Sequence, residues 1–380
     1  MSRRIQGFVA GLFVVAAAVP ATLALTASTA SADTVIDVTT TADGGPGSLR
    51  QAFADADTNG VATTIVLVAG SDYELTDCQT GGALSHTASN SITILGNGST
   101  IRQTCTGERV ITNVGSAGHL TLESVTITGG DAGDLSGGGG VGATTAGLTI
   151  IGSTITGNSA GTGGAVFVTG GGSVTVVNST IAGNTATSDT GGGGIEAQGD
   201  ATLVYSTLTG NTAGGSDEPA NVRTGGDLTS FGSVLAEPLG TSASNCIVTG
   251  TTTSEGYNFS DDNSCGFDAT GDRQDAGDPG LGALAYENNV PPGSVCVDFC
   301  SAWDVRVPLS GSPLVDAIPS AACETGDAAG VTSDQLQQAR PSPAAGACDI
   351  GAVEVQAVTP PPTPPPEPNP PVVVPPRFTG

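Results

Sequence analysis

Between His119 and Gly215 the apolar positions fall into a pattern that returns four times. The copies read Thr126-Ile127-Thr128-Gly129, Thr154-Ile155-Thr156-Gly157-Asn158, Thr180-Ile181-Ala182-Gly183-Asn184 and Thr207-Leu208-Thr209-Gly210-Asn211, with the marker glycines 28, 26 and 27 residues apart. A period of that size is too short for a domain and fits one unit of a stacked solenoid. Counting back nine and seven from each glycine gives Leu120 and Leu122, Leu148 and Ile150, Val174 and Val176, Ala201 and Leu203. Alternation with period two describes a strand with one buried face. The residue two before each glycine is again apolar (Ile127, Ile155, Ile181, Leu208) and belongs to a second strand. After a glycine-rich turn, Val141, Val166 or Ile195 marks a third. The expected fold is all-β: a right-handed parallel β-helix of about 27 residues per coil, three short strands per coil, each coil about 4.8 Å above the last.

The polar positions recur in the same register. Asn158, Asn184 and Asn211 fall on one corner of successive coils, where side-chain amides can bond along the stack as identical residues do in cross-β ladders. Ser153, Ser179 and Ser206, and Thr154, Thr180 and Thr207, form parallel columns.

The pattern divides the chain. Residues 1–32 have the anatomy of a secretory signal: Arg3 and Arg4, an apolar run from Phe8 to Leu25, and Ala30-Ser31-Ala32 as a cleavage site. Residues 33–60 read as an N-terminal cap, in which Ser48 caps a short helix with Leu49, Ala52 and Phe53 on one side, a lid for the open end of a stack. Regular coils are expected over 61–215, irregular late coils and a C-terminal cap over 216–356. Residues 357–380 form a proline-rich spacer tail that holds eleven of the 23 prolines.

Composition sharpens this outline. Gly at 58, aromatics at 4% and charged residues at 12% suit a thin stack with tight corners. There are 36 acids against 10 basic residues, all arginine, and a formal net charge of -26. Such a surface repels nucleic acid and anionic lipid. The lack of lysine removes Schiff-base chemistry and a lysine general base. Export places the eight cysteines in an oxidising compartment, where an even count suggests bridges. Eight cysteines allow 105 pairings. Proximity favours Cys78 with Cys105, Cys246 with Cys265, Cys296 with Cys300 and Cys323 with Cys348.

Certain segments carry a resemblance. Gly47-Ser48-Leu49-Arg50-Gln51-Ala52-Phe53 resembles the Cys-Ser-Leu-Arg-Glu-Ala motif at the start of bacterial secreted right-handed β-helix proteins. Gly311-Ser312-Pro313-Leu314-Val315-Asp316-Ala317 and Ala347-Cys348-Asp349-Ile350-Gly351-Ala352-Val353-Glu354 resemble the closing motifs of the choice-of-anchor Q proteins. The resemblance implies a pectin-lyase-like fold, exported and held at the cell surface by a C-terminal anchor. The chain departs from it at Asp334-Gln335-Leu336-Gln337, where relatives carry Asp-Gln-Arg-Gly.

Pectin-lyase-like folds include lyases and glycoside hydrolases. Here Gly118-His119-Leu120 lacks an accompanying aspartate set, and Arg102, Arg109 and Arg223 lie in different coils with no acid cluster in register. No catalytic residue is assigned. The expectation is a secreted or cell-surface protein with a structural or adhesive role and a surface glycan or protein as partner. The alternatives are a polysaccharide-active enzyme and a calcium-dependent glycan-binding module. For calcium the candidate ligands are Asp261, Asn263, Asp268 and Asp272. They partly match an EF-hand loop, but Cys265 stands at a ligand position and the chain predicts no flanking helices. No other cofactor is expected.

Overall fold

The computed structural model describes residues 33–356 apart from 80, 114–117, 135–136, 190, 242 and 289–301. It is a parallel β-solenoid of about 8 turns. One wall stacks Thr34–Asp37, Thr63–Val66, Ile92–Gln103, Leu120–Thr128, Leu148–Ile151, Val174–Val177, Ala201–Val204, Leu228–Phe231 and Thr252–Gly256 in parallel register. The adjoining wall carries Thr154–Thr156, Thr180–Ala182, Thr207–Thr209, Val234–Ala236 and Phe259–Ser260. A separate sheet runs from Leu84–His86 to Ser244–Val248.

The core is the set of columns that the repeat phrase marks. Ile101, Ile127, Ile155, Ile181, Leu208 and Leu235 stand directly above one another and are fully buried. Where the chain turns between the first two walls, one residue per coil takes a left-handed conformation: Ser124, Gly152, Asn178, Tyr205, Gly232 and Tyr257 all have φ between 47° and 57°. The next residue is a serine in most coils, and its hydroxyl accepts the previous coil's amide. Ser153 Oγ takes Val125 N, Ser179 Oγ takes Ser153 N, and Ser233 Oγ takes Ser206 N. The serine column thus satisfies amides that the bend takes out of the sheet ladder.

The asparagine corner is a continuous relay. Asn158 Nδ2 donates to Asn184 Oδ1 at 3.0 Å and Asn184 Nδ2 to Asn211 Oδ1 at 3.0 Å. It continues from Asn211 to Asn221, from Asn221 to Asn245, and ends on Asp261 Oδ1.

The N-terminal end is closed by the helix Leu49–Asn59, capped by the Ser48 hydroxyl, which accepts from Gln51 N. Leu49, Ala52, Phe53 and Ala56 are buried against the first coils. Arg50 explains its place in the motif: it donates to the carbonyls of Gly81, Gly82 and Ala83, which have no coil beneath them, while Asp43 holds its other edge at 2.7 Å.

The second half continues the stack and adds a layer to it. Rungs continue past Gly215 to Ser260, through cores supplied by Val222, Leu228, Leu235 and Phe259, with register shifts between Pro219 and Val222 and between Ser230 and Phe231. Residues 302–356 form a separate layer. They lie along the flank of the stack, bonded to coils from Ser124 to Glu255: Gln337 Nε2 to Ser124 Oγ, Thr154 Oγ1 to Asp304 O, Asn178 Nδ2 to Ser333 O, Gly351 N to Gly232 O, Asp327 N to Glu255 Oε2. There Leu314, Ile318, Cys348 and Ile350 pack against Tyr205, Phe231, Val234 and Phe259 as a second core outside the coil. The sequence disguised this because a segment that lays itself across coils has no period of its own.

Three disulfides join Cys78 to Cys105, Cys246 to Cys265 and Cys323 to Cys348. The fourth expected pair, Cys296 with Cys300, lies outside the described residues, as do the signal and the proline-rich tail.

Candidate functional site

The residues considered for calcium are not brought together. Asp261 accepts from Glu237 N and from Asn245 Nδ2, and Asp272 from Ser254 Oγ, Asn258 N and Ala269 N. Asn263 and Asp268 are exposed elsewhere on the loop. Among the described residues no three His, Cys, Asp or Glu side chains are placed to hold one metal ion. The loop does something else. After the last rung, amides that a further coil would have paired point outward, and the loop supplies acceptors: Asp261 for Glu237 N, Asp262 for Asn245 N, Ser264 for Cys246 N, Asp272 for Asn258 N. Phe267 and Cys265 plug the core beneath. The aspartates are dense here because an open sheet edge must be finished with acceptors.

Both histidines are tied into the stack. His119 bridges coils, with Nδ1 2.8 Å from Ala146 O and Nε2 2.9 Å from Thr149 Oγ1. His86 is fully buried, with Nε2 2.7 Å from Asn90 O and Nδ1 2.5 Å from Asp57 Oδ1. Burial raises the Asp57 carboxyl, but hydrogen bonds from Thr87 and Ala88 and the nearby His86 outweigh it and leave it below the usual range.

The strongest concentration of perturbed groups lies under the flanking segment. Arg340 donates to Asp349 O at 2.8 Å and Gly351 O at 2.9 Å, stands 3.3 Å from Glu354 Oε2, and lies 4.0 Å over the Tyr205 ring. Burial pushes Glu354 up to about 7 and Asp334 to about 6, and it raises Asp349 as well, against the pull of Arg340 and of the backbone amides each accepts. Perturbed carboxyls mark reactive sites when they face a cleft. These face none. Glu354 takes Ser342 N and Asp349 N, Asp334 takes Gln338 N and Glu354 N, and Asp349 takes Asp316 N and Val355 N. The cluster is a clasp for the flank.

The clasp gives the protein a defined pH response. Carboxyls raised on folding favour the folded state most below their unfolded range near 4, and that stability is lost as pH rises through about 6 and 7. Asp57 and Asp262, both lowered, act in the opposite sense: their stability is present above that range and lost as pH falls through their folded values. In Asp262, hydrogen bonds from Ser264 and Asn245 overcome the effect of burial. The thermal midpoint is expected to peak near pH 5 and to fall by about 3–5 °C by pH 8, read by calorimetry. A midpoint that rises steadily from pH 5 to 8 would contradict this.

The long wall carries one outward feature that the repeat phrase did not bring forward. Thr64, Thr93, Thr121, Thr149, Thr175, Thr202, Thr229 and Thr253 are neighbours in register, one per rung, on the outer face. The signal was present, since a threonine stands eight residues before each marker glycine. It was passed over because threonine is common throughout the chain. Thr154, Thr180 and Thr207, by contrast, are buried under the flank, where Gln335 bridges two of them: Thr180 Oγ1 donates to Oε1 at 2.6 Å, and Nε2 donates to Thr154 Oγ1 at 2.8 Å.

At the other end of the molecule, an open cleft of about 470 Å³ lies beside the capping helix, lined by Arg50, Phe53, Asp57, Ala83, Ser85 and Thr112. Arg50 and Asp57 are already committed to backbone groups. When the chain is compared with known proteins, no family model, no curated protein and no solved structure matches it.

Proposed function

We propose that this chain is an exported right-handed β-helix of the choice-of-anchor Q type, pectin-lyase-like in fold, displayed at or shed from a bacterial surface as a structural or adhesive module without catalysis. The observation that carries the reading is the column of eight threonines, which sets identical hydroxyl and methyl groups about 4.8 Å apart over about 34 Å of one face. A repeat of that kind suits an extended, repetitive partner such as a surface glycan better than a single small substrate.

Further observations support export. Three bridges fit an oxidising compartment. The structural duties of Ser48 and Arg50 in the Gly-Ser-Leu-Arg segment give a physical reason for the resemblance to secreted β-helix proteins. The acidic surface and the lack of lysine argue against nucleic acid as a partner.

The test pairs binding with turnover. Purified chain is incubated with insoluble cell-wall and plant polysaccharides, and both the retained protein and any new reducing or unsaturated ends are measured. Retention is expected to fall at least about fivefold when Thr121, Thr149, Thr175 and Thr202 are replaced together by Asp, because like charges on neighbouring rungs disrupt a contact that spans them. Robust release of sugar ends would instead establish the enzymatic alternative.

A further inference from the structure

Seven arginines lie among the described residues, and five are spoken for. Arg50 is held by Asp43, Arg223 by Glu218, Arg306 by Glu237 and Arg340 by Glu354, while Arg273 donates to Pro313 O. Arg102 stands exposed and acts on Asp304. Arg109 is different. It is half-buried, and among the described residues its guanidinium has no carboxylate at ion-pair distance and no hydrogen-bond acceptor. Burial draws its pKa down, and the nearby charge of Glu108 offsets this only in part, so the guanidinium loses hydration without a hydrogen-bonded counter-charge among the described residues.

The surroundings show how this comes about. Glu108, the nearest acid in sequence, turns its side chain over Gly82 in the coil before, with Cγ 2.8 Å from where a Cβ would stand. Arg109 turns the opposite way and lies on Gly142 in the coil after, where a Cβ would fall 1.7 Å from Nη1. The missing side chain at Gly142 is the seat of the guanidinium. In register, Gly142 sits between Thr112 and Phe167, and Ser85 is one rung beyond Thr112. Ser85 and Thr112 line the cleft beside the capping helix, and neither hydroxyl has another side-chain bond among the described residues. A fixed cation, two free hydroxyls and a cleft therefore follow one another along the outer face.

We propose that Arg109, seated on Gly142, binds an oxyanion, the carboxylate or sulfate group of a ligand whose remainder lies over Thr112 and Ser85 into the cleft. The planar guanidinium fork matches both groups bidentately. On a chain of net charge -26 this is a local exception that selects a single acidic group rather than a polyanion. The site lies on a different sheet from the threonine column and stands whether or not that column binds a glycan.

The test follows the arginine Nε–Hε resonances of the full chain by NMR during titration with sodium sulfate and, separately, sodium acetate, with ionic strength held constant by chloride. The Arg109 resonance is expected to move saturably with at least one of them, while the other arginines stay still. Response to acetate alone assigns the ligand class as a carboxylate; response to sulfate as well assigns a general oxyanion seat. Gly142→Ala keeps the charge but displaces the guanidinium, and it should weaken the response at least about tenfold; Arg102→Gln should leave it unchanged. The proposal is overturned by a linear, non-saturating drift with both salts, by equal movement of Arg102, or by an unaltered response in Gly142→Ala. Strand content by circular dichroism confirms that the variants are folded.

Discussion

Replacing Arg340 by Met should cost about 3–5 kcal/mol and release the flanking segment while the coils stay intact. The guanidinium is fully buried and is the counter-charge for Glu354, with Asp349 and Asp334 close behind. It also bonds two carbonyls and covers the Tyr205 ring. Methionine fills much of the volume, so the loss is not mainly a cavity. It is the cost of leaving buried carboxylates without a cation, which exceeds the net worth of the intact pair. The segment is a separate layer whose apolar contacts fall on the outside of the coil, so loss of the clasp should free it locally. Urea unfolding should then show an early transition that wild type lacks. Limited proteolysis should cut within residues 302–356 while the coils from Leu120 to Asn211 resist. Arg340→Lys keeps the charge but loses the fork, and it should fall between the two. A single transition within 1 kcal/mol of wild type, with an unchanged cleavage pattern, would mean that the cluster is not what holds the flank.

The coil was legible because its physics is periodic. Ile127, Ile155, Ile181 and Leu208 recur at the spacing of the marker glycines and form the central buried column. Ser48 could be read as a cap because helix starts have local chemistry. The flank was not legible. Gln335 meets Thr154 and Thr180 across more than 150 residues of chain, and nothing in Asp334-Gln335-Leu336-Gln337 points to them. The acidic loop was ambiguous for a related reason: Asp261 and Asp272 carry the same oxygens whether they face a cation or the orphan amides of a last rung, and only the position of Ser260 as the final rung distinguishes the two. Arg109 shows the same limit. Its lack of a hydrogen-bonded or ion-paired partner among the described residues depends on the opposite turns of Glu108 and Arg109 over Gly82 and Gly142, glycines that in the sequence read only as part of the general richness in Gly.

Asn184 is where a single small change should do most harm inside the coil. Its side-chain oxygen accepts from both the backbone N and the Nδ2 of Asn158, and its Nδ2 donates to Ile155 O, Ala182 O and Asn211 Oδ1. Asn184→Ala therefore strips partners from groups on three successive coils, all buried, in a corner with no access for replacement water. Each orphaned polar group costs about 1–3 kcal/mol, partly recovered by relaxation, so a loss of about 3–5 kcal/mol is expected. Asn184→Asp should be worse than Ala, although nearly isosteric, because it brings an unpaired carboxylate to Asn211 Oδ1 with no donor to offer. The relay also predicts coupling. Once Asn184 is gone, Asn211 has lost its upstream donor, so adding Asn211→Ala should cost less than it does in the wild-type background, by about 1 kcal/mol in a double-mutant cycle. Chemical denaturation of the four species measures all of this. Strict additivity, or an Asn184→Ala loss below 0.5 kcal/mol, would show that the amides merely stand in line without supporting one another.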